Sequence, residues 1–373
     1  MQQKNTCCIK YFKIKQAPYF CFKIKLLMSL PLHIAVAFKN PKPGTTADRI
    51  ILAGDIGGTK ANMMLCRFAN GALQTIKETR YVSKDYNSFT GILTNFLKGQ
   101  PAPVNICLSV AGPIIEGKVK FTNLSWNLDA AEISQHVGGS AVAMLNDLEA
   151  TAYGLAALKD EELSTLYKGT NETPGNIAIL AAGTGLGEAG LFFDGSQYHP
   201  FATEGGHSDF APRNQRDVAV LNFLLGRHEH VSWERLLSGN GINTIWQYLT
   251  QVEKKDTPAW LLQQMNGTDP APIISKAALE GTCPVCAEAI EMFNRYLATE
   301  AVNLILKLKS TGGLYLAGGI APKLLELLNP ATWQDVFSKS GRMGQLLKEV
   351  SVYVVLNEKA PLLGAGYYAC LSM

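Results

Sequence analysis

Long apolar runs are missing from this 373-residue sequence, although 47% of its residues are hydrophobic. No stretch approaches the roughly 18 consecutive apolar residues of a membrane-spanning helix, so we expect no membrane partner. Cysteine is scarce, and the eight cysteines are scattered along the chain. This pattern excludes a small disulfide-stapled scaffold and favours a reducing, cytoplasmic setting. The apolar residues suffice for sizeable cores, and the length predicts two domains.

The part of the chain after residue 49 is not basic, although the whole chain has a formal net charge of +3. Residues 1–49 hold nine lysines and arginines and one acidic residue, so the rest of the chain is net negative. A nucleic-acid-binding body needs a basic face, and we therefore expect no nucleic-acid partner. Residues 1–49 lack the features of a secretory signal or a mitochondrial presequence. We interpret them as a poorly ordered extension, or as a sign that translation starts at Met28.

Strands and helices alternate in the body, which indicates an α/β protein. Apolar runs at residues 49–55 and 62–68 flank a glycine-rich turn and predict a β-hairpin. A second hairpin is predicted from residues 177–182 and 191–193. One such hairpin opens each half of the body, so we expect a duplicated architecture. The later part is mostly helical in pattern and includes a short helix predicted at residues 233–237.

Glycine-rich turns are the first candidates for chemistry. Asp55-Ile-Gly-Gly-Thr59 and Gly183-Thr-Gly-Leu-Gly187 let backbone N–H groups approach a phosphate, because no Cβ intervenes. Neither segment is followed by the Lys-Ser/Thr of a P-loop, and neither opens a helix as a dinucleotide fingerprint does. Each turn alone could also be a simple tight hairpin. An aspartate beside a polyphosphate needs a cation between them, so Asp55 is predicted to hold Mg²⁺ through water.

Carboxylates, amides and one imidazole form the second candidate group. Asn146 and Asp147 end a predicted strand before a helix, a position that projects side chains into a cleft. Asp147 could equally be a helix N-cap. Glu204, His207 and Glu234 add groups that suit sugar hydroxyls, which both donate and accept hydrogen bonds. Phosphoryl transfer needs one carboxylate to accept the hydroxyl proton, and we assign that role to Asp147.

From about Ile50 to the C-terminus the chain resembles the bacterial glucokinases of the hexokinase-like sugar kinase superfamily. The motifs that carry this resemblance are Gly54-Asp-Ile-Gly-Gly-Thr59, Val110-Ala-Gly-Pro113, Thr122-Asn-Leu-Ser-Trp126, Leu145-Asn-Asp147, Ala182-Gly-Thr-Gly-Leu-Gly187, Glu204-Gly-Gly-His207, Asp209-Phe-Ala-Pro212, Leu237-Ser-Gly239 and Leu316-Ala-Gly-Gly-Ile320. The resemblance implies the two-domain actin-like ATPase (ribonuclease H-like) fold. It also implies ATP-dependent transfer of the γ-phosphate to the 6-hydroxyl of glucose.

The resemblance further implies a role for individual residues. The ATP site is expected at Gly54, Asp55, Ile56, Gly57, Gly58, Thr59, Thr184, Gly185, Gly318 and Gly319, with Asp55 also serving Mg²⁺. The sugar is expected at Asn123, Asn146, Glu204, His207 and Glu234, with Asp147 as the base. The small domain is expected at residues 50–157 plus 356–373, and the large domain at residues 158–355. A cleft separates the two, and homodimers are usual in the family.

Two other functions stay open at this point. The repressor/open-reading-frame/kinase group includes glucokinases and N-acetylmannosamine kinases, so a member could act on another hexose or an N-acetylhexosamine. Its members carry a zinc site of His and closely spaced Cys soon after the Gly-His pair. Here nothing similar follows His207 directly, and the pair Cys283 and Cys286 comes much later. A non-catalytic sugar-sensing regulator would need a DNA-binding module, and residues 1–49 show no helix-turn-helix pattern.

Overall fold

The structure is a computed structural model, and it describes residues 34–38, 48–121, 124–170 and 173–373. A five-stranded sheet forms the first half, with strand order β3-β2-β1-β4-β7. Its strands are β1 (Arg49–Ile56), β2 (Lys60–Ala69), β3 (Ala72–Val82), β4 (Asn105–Val110) and β7 (Ala141–Asn146), and a separate small pair consists of β5 (Lys118–Val119) and β6 (Leu128–Asp129). Strands β1 to β3 are antiparallel, whereas β1, β4 and β7 run parallel. Buried apolar side chains dominate β1 and β4, as expected for parallel strands that are covered on both faces.

A six-stranded sheet forms the second half, with strand order β11-β10-β9-β12-β13-β8. Its strands are β8 (Leu163–Tyr167), β9 (Ile177–Ala182), β10 (Leu186–Phe193), β11 (Tyr198–Thr203), β12 (Gly313–Ala317) and β13 (Val352–Val355). Again an antiparallel three-stranded unit, β9 to β11, is followed by parallel strands, β12 and β13. The predicted duplication of an α/β unit is therefore confirmed.

Helices cover both sheets. They are α1 (Phe89–Leu97), α2 (Ala130–His136), α3 (Asp147–Leu155), α4 (Gln215–Leu225), α5 (Gly239–Gln251), α6 (Ala259–Met265), α7 (Pro270–Leu279), α8 (Pro284–Leu308), α9 (Pro330–Ser338), α10 (Gly344–Glu349) and α11 (Ala360–Leu371). The helix predicted at residues 233–237 is wrong: a single 3-10 turn, Trp233–Arg235, occupies this position. None of the helices within the described residues combines the length and the apolar character that crossing a bilayer requires.

Helices α3 and α11 pack against each other between the two sheets. Helix α11 also packs on β1, β2 and β4, although it lies at the C-terminal end of the chain. A hydrophobic cluster at this junction includes Leu148 and Tyr153 of α3, Leu362 of α11 and Ile179 of β9. Two further clusters lie on the outer sides, one between the first sheet and α1, the other between the second sheet and the later helices. The sheets are thus joined through a packed pair of helices.

Residues 34–38 lie on the N-terminal side of the division at residue 49, yet they pack against the body. The amide of Ala37 donates to the carbonyl of Tyr198 at 2.8 Å, and the amide of Tyr198 donates to the carbonyl of Ala35 at 2.9 Å. Val36 is fully buried, and the ring of Phe38 stacks on Tyr153 with centroids 5.2 Å apart. These residues extend the edge of the second sheet at β11 and cover α3. A chain that starts at Met28 retains them.

We expect Phe38→Ala to lower the free energy of unfolding by about 2–4 kcal/mol, because it removes a nearly buried ring from the junction. Phe192→Ala is the matched control, since Phe192 is 53% exposed and its loss should cost less than about 1 kcal/mol. Urea unfolding of both variants measures the difference. Equal stability of the Phe38 variant and the wild type would mean that this segment does not contribute to the fold.

Candidate active site

Polar side chains gather at the carboxyl ends of three neighbouring parallel strands. Asp55 lies near the end of β1 and pairs in register with Ser109 of β4, while Asn146 ends β7 opposite Val110. Carboxyl ends of parallel strands share one edge of a sheet, where open α/β proteins bind their ligands. The first part of the predicted site is therefore assembled by sheet topology.

Asp55 is held by two donors. The Nδ2 of Asn62 donates to its Oδ2 at 3.2 Å, and the hydroxyl of Ser109 donates to its Oδ1 at 3.1 Å. Burial nevertheless raises the pKa of Asp55 above its usual value. A fixed carboxylate that is poorly hydrated gains by binding a cation, so the donor chemistry of this position fits Mg²⁺.

The turn after β1 is fixed by residues far along the chain. The amide of Gly57 donates to the carbonyl of Lys60 at 2.9 Å, and the buried Ser83 donates to the carbonyls of Gly57 and Thr59. The indole N–H of Trp126 donates in turn to the carbonyl of Ser83 at 3.2 Å. This chain of bonds links the first glycine turn to the Thr-Asn-x-x-Trp segment. No motif surrounds Ser83, so the sequence alone does not identify it.

The remaining residues predicted around this turn differ in exposure. Thr59 is exposed and Gly57 and Gly58 are half-buried, so a ligand can reach them. Gly54 lies inside the sheet, where a Cβ would come within 2.6 Å of Leu108. The side chain of Ile56 is buried in the core, which leaves only its backbone for a ligand.

Asn146 and Asp147 have different roles at the start of α3. Asn146 is the N-cap, because its Oδ1 accepts from the amides of Leu148 and Glu149 at 2.9 and 3.4 Å. The alternative that Asp147 caps the helix is therefore wrong: Asp147 is the first helical residue, and its Oδ1 accepts from Leu148. Burial, together with the charges of Asp55 and Glu204, raises the pKa of Asp147 to about 6. A carboxylate with this pKa suits a general base near neutral pH.

The loop Glu204–His207 follows β11 and brings the charge of Glu204 near Asp147. Glu204 precedes a 3-10 turn, Gly205–His207, and both Glu204 and His207 are exposed. The charge of Glu204 reaches Asp147, as its effect on that pKa shows. Asp55, Asp147 and Glu204 thus come together from β1, α3 and the loop after β11.

The second glycine turn connects β9 to β10 and is tied to Glu234. The Oε2 of Glu234 accepts from the amide of Leu186 at 3.0 Å, and a Cβ on Gly185 would come within 2.5 Å of the same oxygen. The carbonyl of Gly183 accepts from the amide of Gly239 at 2.9 Å. One carboxylate oxygen of Glu234 therefore shapes the turn.

Thr184 and the pair Gly318 and Gly319 complete the second half. Thr184 is exposed at the tip of the turn. Gly318 follows β12 with φ of +79° and lies against the backbone of Ala182, so no side chain fits there. Parallel pairing of β9 and β12 brings the two glycine segments to one sheet edge. Asn123 lies outside the described residues.

Two matching glycine turns on duplicated sheets, with carboxylates at the edge of the first sheet, are the arrangement expected of an α/β sugar kinase with the actin-like ATPase fold. The family model described as Glucokinase matches residues 52–371. The chain belongs to the glucokinase family and is therefore an enzyme of ATP-dependent glucose phosphorylation.

Individual relatives agree with this family. A glucokinase of Nostoc sp. (strain PCC 7120) is 38% identical over 338 residues, which cover 86% of this chain and 98% of the relative. The solved glucokinase from an Antarctic psychrotroph is 31% identical with a TM-score of 0.74, covering 87% of this chain and 98% of that one. A ROK family glucokinase from Streptomyces griseus, 21% identical with a TM-score of 0.59 over 86% and 99% of the two chains, shares the fold.

The cysteine pair that the zinc alternative would need is a core feature. Cys283 precedes α8 and Cys286 lies in its first turn, and both are fully buried. Burial raises the pKa of the Cys286 thiol, which keeps it protonated and unreactive.

Proposed function

We propose that Asp147 is the general base of the glucokinase reaction and that Asn146, Glu204, His207 and Glu234 hold the sugar around it. The observation that carries this proposal is the raised pKa of Asp147, whose carboxyl lies at the edge of the first sheet near two other carboxylates. Asn146 uses its Oδ1 for capping, so its Nδ2 is the group that donates to a sugar hydroxyl. Asn123 completes the proposed sugar set from the family motif.

The proposed reaction is a direct transfer. The carboxylate of Asp147 accepts the proton of the glucose 6-hydroxyl while that oxygen attacks the γ-phosphorus of ATP. The new bond joins O6 to phosphorus, the bond from phosphorus to the bridging oxygen breaks, and ADP leaves. The backbone of Gly57 and Gly58, with Thr59 and Thr184, positions the phosphates from the two sheets. The structure from Streptomyces griseus was solved in complex with glucose and AMPPNP, an ATP analogue, which supports the same pairing of ligands here.

Asp55 is the residue that we propose to hold Mg²⁺ through water. The cation would offset the negative charge of the phosphates during transfer. Gly185, Gly318 and Gly319 offer backbone to the nucleotide, with Gly54 and Ile56 supporting the first turn from within the sheet. The Asn62 and Ser109 donors keep the carboxylate of Asp55 oriented toward that position.

The proposed function also includes a division of the chain into two domains. Packing of α11 on β1, β2 and β4 supports a small domain of residues 50–157 plus 356–373, with residues 158–355 as the large domain. A homodimer and a cytoplasmic location stay predictions, and sedimentation of the purified protein measures the former.

A coupled assay with ATP and glucose, mannose, fructose or N-acetylglucosamine, with Mg²⁺ or with a chelator, tests the function. Absence of glucose turnover would contradict it.

Glu204→Ala should weaken glucose binding by about 1–3 kcal/mol, because hydroxyl contacts to a charged acceptor are lost. We expect the KM for glucose to rise accordingly, while the KM for ATP changes little. Glu280→Ala is the control, since Glu280 is an exposed glutamate that pairs with Lys276, one turn earlier on α7. An unchanged KM for glucose in the Glu204 variant would remove this residue from the sugar site.

A further inference from the structure

Two buried glutamates lie beneath the loop that carries Glu204 and His207. Glu188 of β10 is 1% exposed, and Glu300 of α8 is 0% exposed. Neither residue has a role in the reaction proposed above. A buried carboxyl group is costly unless it is neutralised or paired, so the two must stabilise each other.

The contacts of the pair leave one oxygen of each carboxyl unsatisfied. The two side chains lie within hydrogen-bonding reach of each other. The Oε2 of Glu300 accepts from the Nδ2 of Asn303 at 2.7 Å, whereas the Oε1 of Glu188 and the Oε1 of Glu300 receive no donor in the described part of the chain. A single proton between the two carboxyls supplies the missing donor.

The charged groups around Glu188 and Glu300 are too few and too exposed to stabilise both carboxylates without that proton. Within the described ranges, Lys307 is the charged group that acts on both carboxyls, and its Nζ lies 3.9 Å from the Oε1 of Glu300. Lys307 is itself 54% exposed, so solvent weakens its effect. Helix α8 otherwise presents the neutral Asn303, and β11 presents the hydroxyl of Thr203. One distant, hydrated cation cannot neutralise two buried carboxylates.

Glu188 also shapes the loop above it. Its carboxyl occupies the space beside Gly205 where a side chain would otherwise lie. Its carbonyl accepts from the hydroxyl of Thr203 at 3.0 Å, and that hydroxyl accepts from the amide of Gly205 at 3.1 Å. Gly206 lies directly on the backbone of Leu186. Side chain and backbone of Glu188 therefore both support the residue next to Glu204.

We propose that Glu188 and Glu300 share one proton and that this singly protonated pair positions the sugar-binding loop. The inference rests on the proposed role of Glu204 and His207 in binding glucose. In the shared state the O–H of one carboxyl donates to the oxygen of the other. When the proton leaves, two negative charges face each other in the core, and their repulsion displaces Gly205 and weakens glucose binding.

The direction of the pH effect on glucose binding follows from the protonation state of Glu188 and Glu300 in the free enzyme. Burial and the charge of Glu188 raise the pKa of Glu300 to about 8, and burial also raises the pKa of Glu188. The proton therefore stays on the pair at neutral pH and is lost as the pH rises through about 8. Because the glucose-bound loop requires the protonated pair, the KM for glucose should rise above that pH, by up to about tenfold per pH unit.

The test compares the KM for glucose of the wild type, Glu300→Gln and Glu188→Gln from about pH 7 to about pH 9.5 at constant ionic strength. Each amide replaces the carboxylic acid as a permanent donor, so both variants should keep the KM near neutral pH and lose the alkaline rise. Saturated kcat should follow one pH profile in all three proteins. Glu326→Gln, at an exposed site, should behave as the wild type. Calorimetry measures glucose binding without turnover. Infrared spectroscopy follows the loss of the shared proton through the band of the protonated carboxyl.

The outcomes separate this proposal from the proposed function. A wild-type KM that stays constant up to about pH 9.5, or an alkaline rise that persists in both glutamine variants, overturns the shared proton. A KM that falls with added K⁺ would assign the pair to a cation instead and overturn it as well. If one variant fails to fold, the other variant and the wild-type profile still decide. Loss of glucose turnover in every protein at every pH would contradict the proposed function.

Discussion

Asp147→Asn should lower kcat by about a thousandfold or more while glucose binding changes by less than about threefold. Asparagine has nearly the same shape and can still accept from the amide of Leu148, so α3 should start normally. It cannot take a proton from the sugar hydroxyl. Turnover measurements together with calorimetric glucose binding separate the two effects.

The pH profile gives this prediction a signature that a structural defect would not produce. The wild-type kcat/KM should fall about tenfold per pH unit below about 6, because the base form of Asp147 is lost as its raised pKa is crossed. The residual activity of the Asn variant should lack that limb. Asp256→Asn, at an exposed position, is the control. Near-normal turnover in the Asp147 variant would remove this residue from the base role.

Much of the fold can be predicted because local patterns decide it. The hairpins β1–β2 and β9–β10 join apolar strands through glycine turns, and both the period and the turn residues are local signals. Strands β3 and β11 were not predicted. Both lie at sheet edges; β3 carries mostly exposed, polar residues, and β11 contains Pro200, which is untypical of a strand interior. The packing of residues 34–38 is decided by distant partners, Tyr198 and Tyr153, and no local pattern encodes it.

The candidate site likewise contains residues that local motifs identify and residues that only the folded chain identifies. Asp55, Asp147 and Glu204 lie in motifs whose spacing indicates their chemistry. Ser83 and Ser109 act on those motifs from other elements, so only the folded chain identifies them.

The pair Glu188 and Glu300 had one signal that could have been used. Glu188 is a lone charge inside the apolar strand β10, and Glu300 is a lone charge on a buried part of α8. A charge in such a place usually has a partner.

Helices α3 and α11 cross in very close contact, and α3 follows strand β7 of the first sheet whereas α11 follows strand β13 of the second. Gly364 of α11 lies directly on the carbonyl of Ala150, and Gly154 of α3 lies directly on the carbonyl of Ala360. Each glycine removes a Cβ that would overlap the backbone of the other helix. Because α3 begins at Asp147, a shift of this crossing also moves the proposed base.

Gly364→Ala should therefore lower the free energy of unfolding by about 3 kcal/mol or more, since the added methyl meets backbone that cannot rotate away. Gly226→Ala is the matched control: Gly226 has helical φ and ordinary contacts, so its substitution should change stability by less than about 1 kcal/mol. Thermal and urea unfolding measure both variants, and kcat measured below the transition shows whether Asp147 has moved. A Gly364 variant as stable as the wild type would mean that the two helices can separate at little cost, which would contradict the importance of this close packing.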